Sequence, residues 1–294
     1  MIKKAIIPIA GLGTRFLPLS KIVAKEFFPL VDKPILQYIV EEVMISKLKE
    51  IIFVNRPDKE VVLNYFKKYL SRSPELEEIL TIRKKGHLLD ELKKLGGISK
   101  KISFSQVIQK RPLGDGDAIL QAKKLIGDNA CAVLWADDVV ASKTPCILQL
   151  MKAFEKYKKP IVALYRIPKK SFQFYGMVGV KKIAKRVYKI EKIVEKPKTE
   201  KEAPSNLAIV GRFIFTPRVF EWLEKVPLNK NRELITSEVL AKKIKENEDI
   251  YGYEFEGKWL ECGNKLAYLK TNLYLSLKHP QFGKELKKSL KEIN

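Results

Sequence analysis

Short apolar runs alternate with longer amphipathic stretches along the first half of the chain. The run Ala5–Ile9 carries no charge, which is typical of a strand buried on both faces of a sheet. Apolar residues three or four positions apart predict helices between such runs. The pattern predicts strands at 3–9, 50–54, 102–107, 131–136, 160–166, 177–181, 187–194, 207–215 and 250–255, and helices at 34–47, 58–70, 75–94, 116–125, 144–157, 217–225, 233–246 and 264–278.

The order of these elements predicts an α/β fold. Alternation of strand and helix in the N-terminal half implies a mostly parallel sheet, flanked by helices and joined by right-handed crossovers. The middle of the chain is richer in strands, which predicts a small additional β-sheet carrying the motifs found there. No segment rich in Gly, Ser or Pro divides the sequence, so we expect a single domain over residues 1–294.

A small-residue turn follows the first predicted strand, in the segment Ile9-Ala-Gly-Leu-Gly-Thr-Arg-Phe16. Such a turn lets backbone N–H groups approach a phosphate closely. Arg15 and Lys25 add cationic side chains that can neutralise phosphate oxygens. Phe16 stands where a dinucleotide fingerprint needs its third glycine, and the Gly-Lys-Ser/Thr ending of a P-loop is missing. The alternative interpretation is a tight turn beside an unrelated basic patch.

Further motifs follow in order along almost the whole chain. Together with the glycine turn and Lys25-Glu-Phe-Phe-Pro29, they resemble those of bacterial UTP–glucose-1-phosphate uridylyltransferases, also called UDP-glucose pyrophosphorylases. The resemblance implies the Rossmann-like, mixed-sheet fold of nucleotide-diphospho-sugar transferases. The motifs are Leu30-Val-Asp-Lys-Pro34, Gln109, Val133-Leu-Trp-Ala-Asp-Asp138, Tyr175-Gly-Met-Val178, Val194-Glu-Lys-Pro197, Ser205-Asn-Leu-Ala-Ile-Val-Gly-Arg212 and Glu261-Cys-Gly-Asn-Lys265.

The resemblance also implies a reaction. The phosphate of glucose 1-phosphate attacks the α-phosphorus of UTP, and pyrophosphate leaves. Because the attacking phosphate is already anionic at pH 7, the difficulty is bringing two polyanions together, and catalysis depends on positioning and charge neutralisation. Mg²⁺ is the expected cofactor, since it needs only one or two carboxylates besides phosphate and water oxygens.

Catalytic roles follow from the same resemblance. Arg15 and Lys25 are expected on the UTP phosphates and Lys196 on the sugar phosphate. Asp137 follows a buried apolar run, where a carboxylate needs a partner such as a metal. The resemblance assigns the metal to Asp137, with the neighbouring Asp138 as the competing choice. Glu261 stands where the family has a second metal-side aspartate, and the alternative is a surface glutamate beside a preserved turn.

Binding roles complete the predicted site. Gln109 can pair with uracil through both the donor and the acceptor of its amide. Glu195 is expected to accept hydrogen bonds from sugar hydroxyls, and Asn206 is either structural or sugar-binding. The full nucleotide set is Ala10, Gly11, Gly13, Thr14, Glu26, Gln109 and Gly114, and the full sugar set is Gly176, Glu195, Asn206 and Gly211.

Several positions depart from the family pattern. The usual G-L-G-H-A is Gly114-Asp-Gly-Asp-Ala118, which introduces two carboxylates beside the predicted nucleotide loop, and the usual D-C-G-N begins with Glu261. Two alternatives to the uridylyltransferase therefore remain. One is a related enzyme that uses another nucleotide, such as dTTP, or another sugar 1-phosphate. The other is a weakly active regulator that binds a sugar nucleotide.

Composition narrows the class of protein. The net charge of +23 comes from lysines spread over the polar faces of predicted helices, so we expect no nucleic-acid partner. No apolar run reaches the length of a membrane span. The three cysteines have no metal-ligand spacing, and their scatter is typical of a cytoplasmic protein. The C-terminal helices are expected to contact a second subunit in a homo-oligomer, either a dimer or a tetramer.

Overall fold

A strand lies at each place that the apolar runs predict, and four short strands, at 29–30, 33–34, 138–141 and 258–261, were not predicted. The structure is a computed structural model, and it describes residues 2–57, 61–69, 73–90, 92, 102–227 and 233–293. In chain order the strands are β1 (Lys4–Pro8), β2 (Pro29–Leu30), β3 (Lys33–Pro34), β4 (Glu50–Asn55), β5 (Ser103–Ile108), β6 (Cys131–Leu134), β7 (Asp138–Ala141), β8 (Ile161–Arg166), β9 (Gly176–Ala184), β10 (Val187–Glu195), β11 (Leu207–Phe215), β12 (Tyr251–Glu254) and β13 (Lys258–Glu261).

Helices lie at the predicted places with shifted ends, and a further helix at 283–293 was not predicted. The helix predicted at 116–125 is divided in two, and the helix predicted at 75–94 is interrupted over residues 83–85. Parts of the helices predicted at 58–70 and 75–94 lie outside the described residues. No helix within the described ranges is long and apolar enough to cross a bilayer. The α-helices whose bounds lie within the described residues are α1 (Ile35–Ile45), α2 (Val61–Tyr69), α3 (Pro74–Ile82), α4 (Asp115–Gln121), α5 (Lys123–Ile126), α6 (Cys146–Tyr157), α7 (Pro217–Glu224), α8 (Thr236–Lys245), α9 (Lys265–Lys278) and α10 (Gly283–Ile293).

A large mixed sheet organises the molecule. Its strand order in the described part of the chain is β5-β4-β1-β6-β11-β8-β12-β10-β9. The first four strands in this order are mutually parallel. Three of them, β5, β4 and β1, come from the first 110 residues. Beyond them β11 pairs antiparallel with both β6 and β8, and β10 pairs antiparallel with β9 and β12. The predicted α/β class with a mixed sheet flanked by helices is therefore confirmed.

The strand-rich middle of the chain is placed differently from the expectation. The motifs Tyr175–Val178 and Val194–Pro197 lie at the start of β9 and the end of β10, and these two strands extend the main sheet instead of forming a small sheet of their own. The small additional sheets are two ribbons, β2–β3 and β7–β13. In the β7–β13 ribbon Asp138 lies opposite Glu261, so the ribbon brings together two motifs more than 120 residues apart.

Apolar side chains cover both faces of the sheet. On β1, Ala5 and Ile7 pack in one cluster with α1 and α6, whereas Ile6 packs in the opposite cluster with α4, α7 and α8. This arrangement explains the continuous apolar run of β1, since each face removes its own side chains from water. It also leaves the carboxyl ends of the parallel strands as the open edge of the sheet.

Candidate active site

A cleft of about 590 Å³ opens at the carboxyl ends of β1 and β6. These strands are parallel neighbours, so the loops that follow them meet at one edge, as expected for ligand sites in such sheets. Trp135, Asp115, Glu233 and Gly263 contribute to its walls. Ten sequence-predicted residues also line it: Ala10, Gly11, Gly13, Thr14, Arg15, Lys25, Glu26, Gln109, Gly114 and Asp137.

A buried aromatic contact stabilises the turn after β1. Gly13 has φ 67°, a left-handed conformation that favours glycine, and the chain then forms a short 3₁₀ turn at Thr14–Phe16. The buried ring of Phe16 packs edge-on against Phe28, with centroids 5.2 Å apart. Burial of Phe16 directs the adjacent Arg15 outward, and Arg15 is exposed at the cleft.

Lys25 and Asp137 form an ion pair in the cleft, with Nζ 2.6 Å from Oδ2. Burial alone would lower the pKa of Lys25, but the carboxylates of Asp137 and Glu26 outweigh it and raise that pKa. Burial also opposes the charge of Asp137, yet Lys25 and then Arg15 hold its pKa below the usual value. Both groups are therefore charged at neutral pH, and the cleft presents a fixed pair of opposite charges.

The neighbouring Asp138 is bound to the protein itself. Its Oδ2 accepts from the backbone N–H of Gly211 at 2.8 Å, and its Oδ1 accepts from the indole of Trp259 at 2.7 Å. Burial and then the charge of Asp137 raise the pKa of Asp138 to about 6. Of the two adjacent carboxylates, Asp137 lines the cleft and Asp138 ties the loop to its surroundings.

Arg212 supports the same loop from behind. Its guanidinium is fully buried and donates to the carbonyl oxygens of Trp135, at 3.1 Å, and of Asp138. These two carbonyls flank Asp137 in the chain, so the arginine fixes the backbone that carries the cleft carboxylate. The negative partner of Arg212 is Glu42 on α1, whose other oxygen accepts from the N–H of Ile147 at 2.9 Å.

Glu261 reaches the same place from β13. A Cβ placed on Gly263 would lie 3.2 Å from Oε1 of Glu261 and 3.3 Å from Oδ2 of Asp137. The same point is 3.2 Å from Nη1 of Arg15. The absence of a side chain at Gly263 thus leaves a small space bordered by two carboxylates and one guanidinium.

The carboxylate oxygens that border this space are suitable ligands for a magnesium ion. Carboxylate oxygens are the hard ligands that Mg²⁺ prefers, and the ion needs few of them when substrate phosphates and water complete its shell. Asp137 and Glu261 supply such oxygens around the position that Gly263 leaves open. The described residues contain no cluster of three or more metal-ligating side chains. Asp137 and Glu261 are therefore the candidate metal ligands around this space.

Two side chains hold Glu261 in place. The hydroxyl of Tyr175 donates to Oε2, and the amide of Asn264 donates to Oε1 at 3.2 Å. Burial, and then the contact with Glu261, raises the pKa of Tyr175, so the hydroxyl keeps its proton. Tyr175 directly precedes Gly176 on β9, which links the carboxylate at the cleft to the strand that carries the predicted sugar motif.

The predicted sugar residues Gly176, Glu195 and Lys196 gather at the ends of β9 and β10. Gly176 pairs with Glu195, and a Cβ on Gly176 would lie only 2.9 Å from Oε2 of that glutamate. The same oxygen accepts from Ser237 at 2.8 Å. Lys196 is 63% exposed, with Nζ 3.6 Å from Oε1 of Glu195. These three residues lie outside the lining of the main cleft. The charge of Glu195 nevertheless contributes to the raised pKa of Asp115, which lines the cleft.

Gly211 and Asn206 are placed apart from this group. Side chains of the protein itself lie close to Gly211, because an added Cβ would be 2.4 Å from Oδ2 of Asp138 and 2.5 Å from Cβ of Trp135. The side chain of Asn206 accepts from Arg166 at 2.8 Å, beside Glu254. Neither residue lines the main cleft, and their sugar-binding roles stay predictions.

Comparison with known proteins identifies the family. The family model described as "Nucleotidyl transferase" matches residues 4–276. The UTP–glucose-1-phosphate uridylyltransferase of Bacillus subtilis is 37% identical over 97% of this chain and 94% of its own length. Its counterpart in Staphylococcus epidermidis is 36% identical over 100% and 99% of the two chains. This chain belongs to the nucleotidyl transferase family.

Solved structures agree with that assignment to the nucleotidyl transferases. A UDP-glucose pyrophosphorylase complexed with UDP-glucose matches with a TM-score of 0.82 at 35% identity, covering 95% of this chain and 100% of that one. The UTP-bound enzyme from Acinetobacter baumannii matches with a TM-score of 0.87 at 33% identity, covering all of both chains. The resemblance to UTP–glucose-1-phosphate uridylyltransferases read from the motifs is confirmed.

The departure of this nucleotidyl transferase at Gly114–Ala118 has a structural explanation. Asp115 accepts from the backbone N–H of Thr236 at 3.2 Å, and Asp117 turns inward to the amide of Gln109. Gly114 has φ 103°, and an added Cβ would lie 2.4 Å from the carbonyl oxygen of Leu234. The two carboxylates therefore anchor segments that pack together beside the cleft.

The prediction that Gln109 offers both halves of its amide to a base needs correction. Its Nε2 donates to the carbonyl oxygen of Gly114 at 3.0 Å and to Oδ2 of Asp117 at 2.7 Å. These bonds use both hydrogens of the amide. Only the acceptor, Oε1, remains for a ligand in the cleft.

Three residues of this nucleotidyl transferase received no role from the sequence. Tyr175 holds Glu261, and Arg212 holds the loop that carries Asp137. Gly263 leaves open the space beside the two carboxylates. All three belong to the motifs that carry the resemblance, and that membership was the available signal. Their contacts join distant parts of the chain, so spacing alone could not assign them.

Proposed function

We propose that this chain makes UDP-glucose and pyrophosphate from UTP and glucose 1-phosphate. The observation that carries the proposal is the meeting of Arg15, Asp137 and Glu261 around Gly263, with Lys25 paired to Asp137, in a cleft that follows a glycine turn. Two cations and two carboxylates at one point suit a reaction between phosphates and a magnesium ion. The family, and relatives named UTP–glucose-1-phosphate uridylyltransferase, support the choice of substrates.

The residues act mainly by charge and position. The turn at 11–14 and Arg15 receive the triphosphate of UTP, and Lys25 neutralises phosphate charge near the α-phosphorus. Lys196 binds the phosphate of the incoming sugar, which attacks the α-phosphorus as an anion. The new P–O bond forms as the bond to pyrophosphate breaks, and no protein group needs to remove a proton. Holding two anionic reactants in line in this way lowers the barrier through proximity and electrostatic stabilisation.

Asp137 and Glu261 are the residues that would hold Mg²⁺. When bound, the ion neutralises charge on the phosphate oxygens. Asp137 is paired with Lys25 at 2.6 Å, so this lysine keeps the carboxylate ionised and near the phosphates. Tyr175 and Asn264 aim the second carboxylate toward the same space.

The two ends of the product are bound by different elements. Gln109 with Ala10, Gly11 and Gly114 forms the wall for the uracil base. Glu195 and Gly176 at the β9–β10 ends receive the glucose hydroxyls, next to Lys196. Glu26, Gly13 and Thr14 complete the nucleotide side, and Asn206 and Gly211 complete the sugar side.

The whole chain acts as one domain, and we propose that it works as a homo-oligomer in the cytoplasm. An exposed apolar stripe on α9, formed by Leu266, Leu269 and Leu273, supports contact with a second subunit. The three cysteines are buried and unpaired, which suits a reducing compartment.

One assay tests the proposal directly. The purified chain is mixed with UTP, glucose 1-phosphate and Mg²⁺, and released pyrophosphate and UDP-glucose are measured together. A parallel panel replaces UTP by dTTP and glucose 1-phosphate by other sugar 1-phosphates. We expect the highest kcat/KM for UTP with glucose 1-phosphate. Higher turnover of another pair would reassign the substrates, and UDP-glucose binding without turnover would indicate a regulator.

A further inference from the structure

The amide of Gln109 lies between two groups that can only accept hydrogen bonds. Its Nε2 is 3.0 Å from the carbonyl oxygen of Gly114 and 2.7 Å from Oδ2 of Asp117. Reversing the amide would place Oε1 against both oxygens. The orientation therefore follows from the chemistry of the neighbours, since neither of them can donate a proton while Asp117 is ionised.

Asp117 is itself held firmly. It is 4% exposed, and its other oxygen, Oδ1, accepts from Nε2 of Gln121 at 3.1 Å. Each oxygen of the carboxylate thus receives an amide N–H, and charge-assisted bonds of this kind are stronger than neutral ones. Gln109 is 5% exposed, so the amide has little access to water that could compensate for a reversed orientation.

The acceptor end of Gln109 is the part available to a nucleobase. Gln109 lines the cleft, and within the described residues we find no hydrogen bond to its Oε1. Uracil carries an N–H at position 3, which can donate to this oxygen. Cytosine carries a lone pair at the same position, which would face the oxygen without a proton between them.

We propose that Asp117 is a positioning residue that sets base specificity, by holding the amide of Gln109 with only its oxygen toward the base. The inference rests on the proposed function for the identity of the nucleotide site. It goes beyond that function because it assigns the discrimination between uracil and cytosine to a residue behind the cleft. It also makes the selected feature the proton at position 3, so a methyl group at position 5 has no effect on this contact.

The test compares kcat/KM for UTP, CTP and 5-methyluridine triphosphate. In the wild type both uridine nucleotides should exceed CTP by at least about a hundredfold, because an acceptor facing an acceptor leaves buried polar groups unpaired. Asp117→Ala frees one amide hydrogen and should narrow the UTP/CTP ratio at least about tenfold, with the UTP/5-methyluridine ratio unchanged. Asp117→Asn retains an acceptor and should keep most of the wild-type ratio.

Gln121→Ala is the matched control. It removes the other donor to Asp117 but leaves the contact with Gln109, so its UTP/CTP ratio should equal that of the wild type. Asp117→Leu is a second variant of similar volume, made in case the alanine variant does not fold. A merely structural role for Asp117 would lower turnover of all three nucleotides in proportion.

The possible results separate the two proposals. A wild type that does not turn over UTP overturns the proposed function. A wild type that uses UTP and CTP equally well overturns the inference about Asp117 without need of any variant. A folded Asp117→Ala or Asp117→Leu protein whose UTP/CTP ratio is unchanged also overturns it, while the proposed function stands.

Discussion

Arg212 and Glu42 form a buried ion pair directly behind the loop that carries Asp137. Nη2 of the arginine lies 2.8 Å from Oε2 of the glutamate, and the guanidinium is inaccessible to solvent. Burial opposes the charge of Arg212, but Glu42 outweighs it and raises the pKa of the guanidinium. The pair links α1 to β11 and, through the carbonyls of Trp135 and Asp138, to the cleft.

Removing one charge of this pair should destabilise the fold. Glu42→Gln leaves the guanidinium buried without a counter-charge, which typically costs about 3–5 kcal/mol. Urea unfolding at pH 7 measures the free energy of unfolding. Glu248→Gln is the control, because its partner Arg218 is 60% exposed and the change should be small. Equal losses in the two variants would contradict the assigned role of the buried pair.

Asp137→Asn should abolish most activity and preserve the fold. The amide cannot supply the charge that binds Mg²⁺ and pairs with Lys25, and metal charge stabilisation of several kcal/mol corresponds to at least about a hundredfold in kcat. The measurement is pyrophosphate release together with the thermal midpoint.

Asp138→Asn is the companion variant. Both oxygens of Asp138 accept N–H groups of the protein, so in either orientation the asparagine amide sets its NH2 group against one of these two donors. We expect its thermal midpoint to fall more than that of Asp137→Asn. Near-normal turnover of Asp137→Asn would remove that residue from the metal site.

Glu261→Gln should weaken the response to magnesium. If Glu261 serves the metal, loss of its charge raises the Mg²⁺ concentration that gives half-maximal rate, and Glu261→Asp has a milder effect. Tyr175→Phe removes the hydroxyl that holds Oε2 and should shift the midpoint in the same direction by less. The assay is a Mg²⁺ titration at saturating UTP, and an identical midpoint for wild type and Glu261→Gln would exclude a metal role.

Asp115 should make stability depend on pH. Burial, and more weakly the charge of Glu195, raises its pKa above the ordinary 3.8, while the bond from Thr236 opposes the shift. An acid whose pKa is raised on folding binds more protons in the native state, so its contribution to stability falls as pH rises through the interval between the two pKa values. Above that interval the ionised Asp115 lowers the free energy of unfolding by its full amount, and below pH 3.8 this destabilisation disappears.

Asp115→Asn removes this titration and keeps an acceptor for Thr236. The free energy of unfolding of the variant should exceed that of the wild type at pH 7.5, and the difference should shrink as the pH is lowered toward 4. Chemical unfolding at several pH values gives the comparison. A difference that stays constant with pH would show that Asp115 does not titrate in this range.

Local patterns were sufficient to predict most elements. The apolar run at 3–9 became β1, and the helix predicted at 264–278 begins after Asn264, whose side chain accepts from the N–H of Ala267 at 3.0 Å. Burial periodicity and caps act between residues close in sequence, so they are visible without a structure. The helix predicted at 116–125 divides near Ala122, where no Gly or Pro signals a break.

The order of the motifs was enough to predict the family and the shared site of Arg15, Lys25 and Asp137, and the end of the first apolar run was enough to predict the turn at Gly13, because these features are visible in the order of residues alone. The place of Asp137 rather than Asp138 in the lining of the cleft, and the orientation of the Gln109 amide, became visible only in the folded chain. Those outcomes depend on hydrogen-bond partners brought by other strands and helices, such as Gly211 and Trp259 for Asp138. A buried polar group takes the orientation that its neighbours satisfy, and folding alone brings those neighbours together.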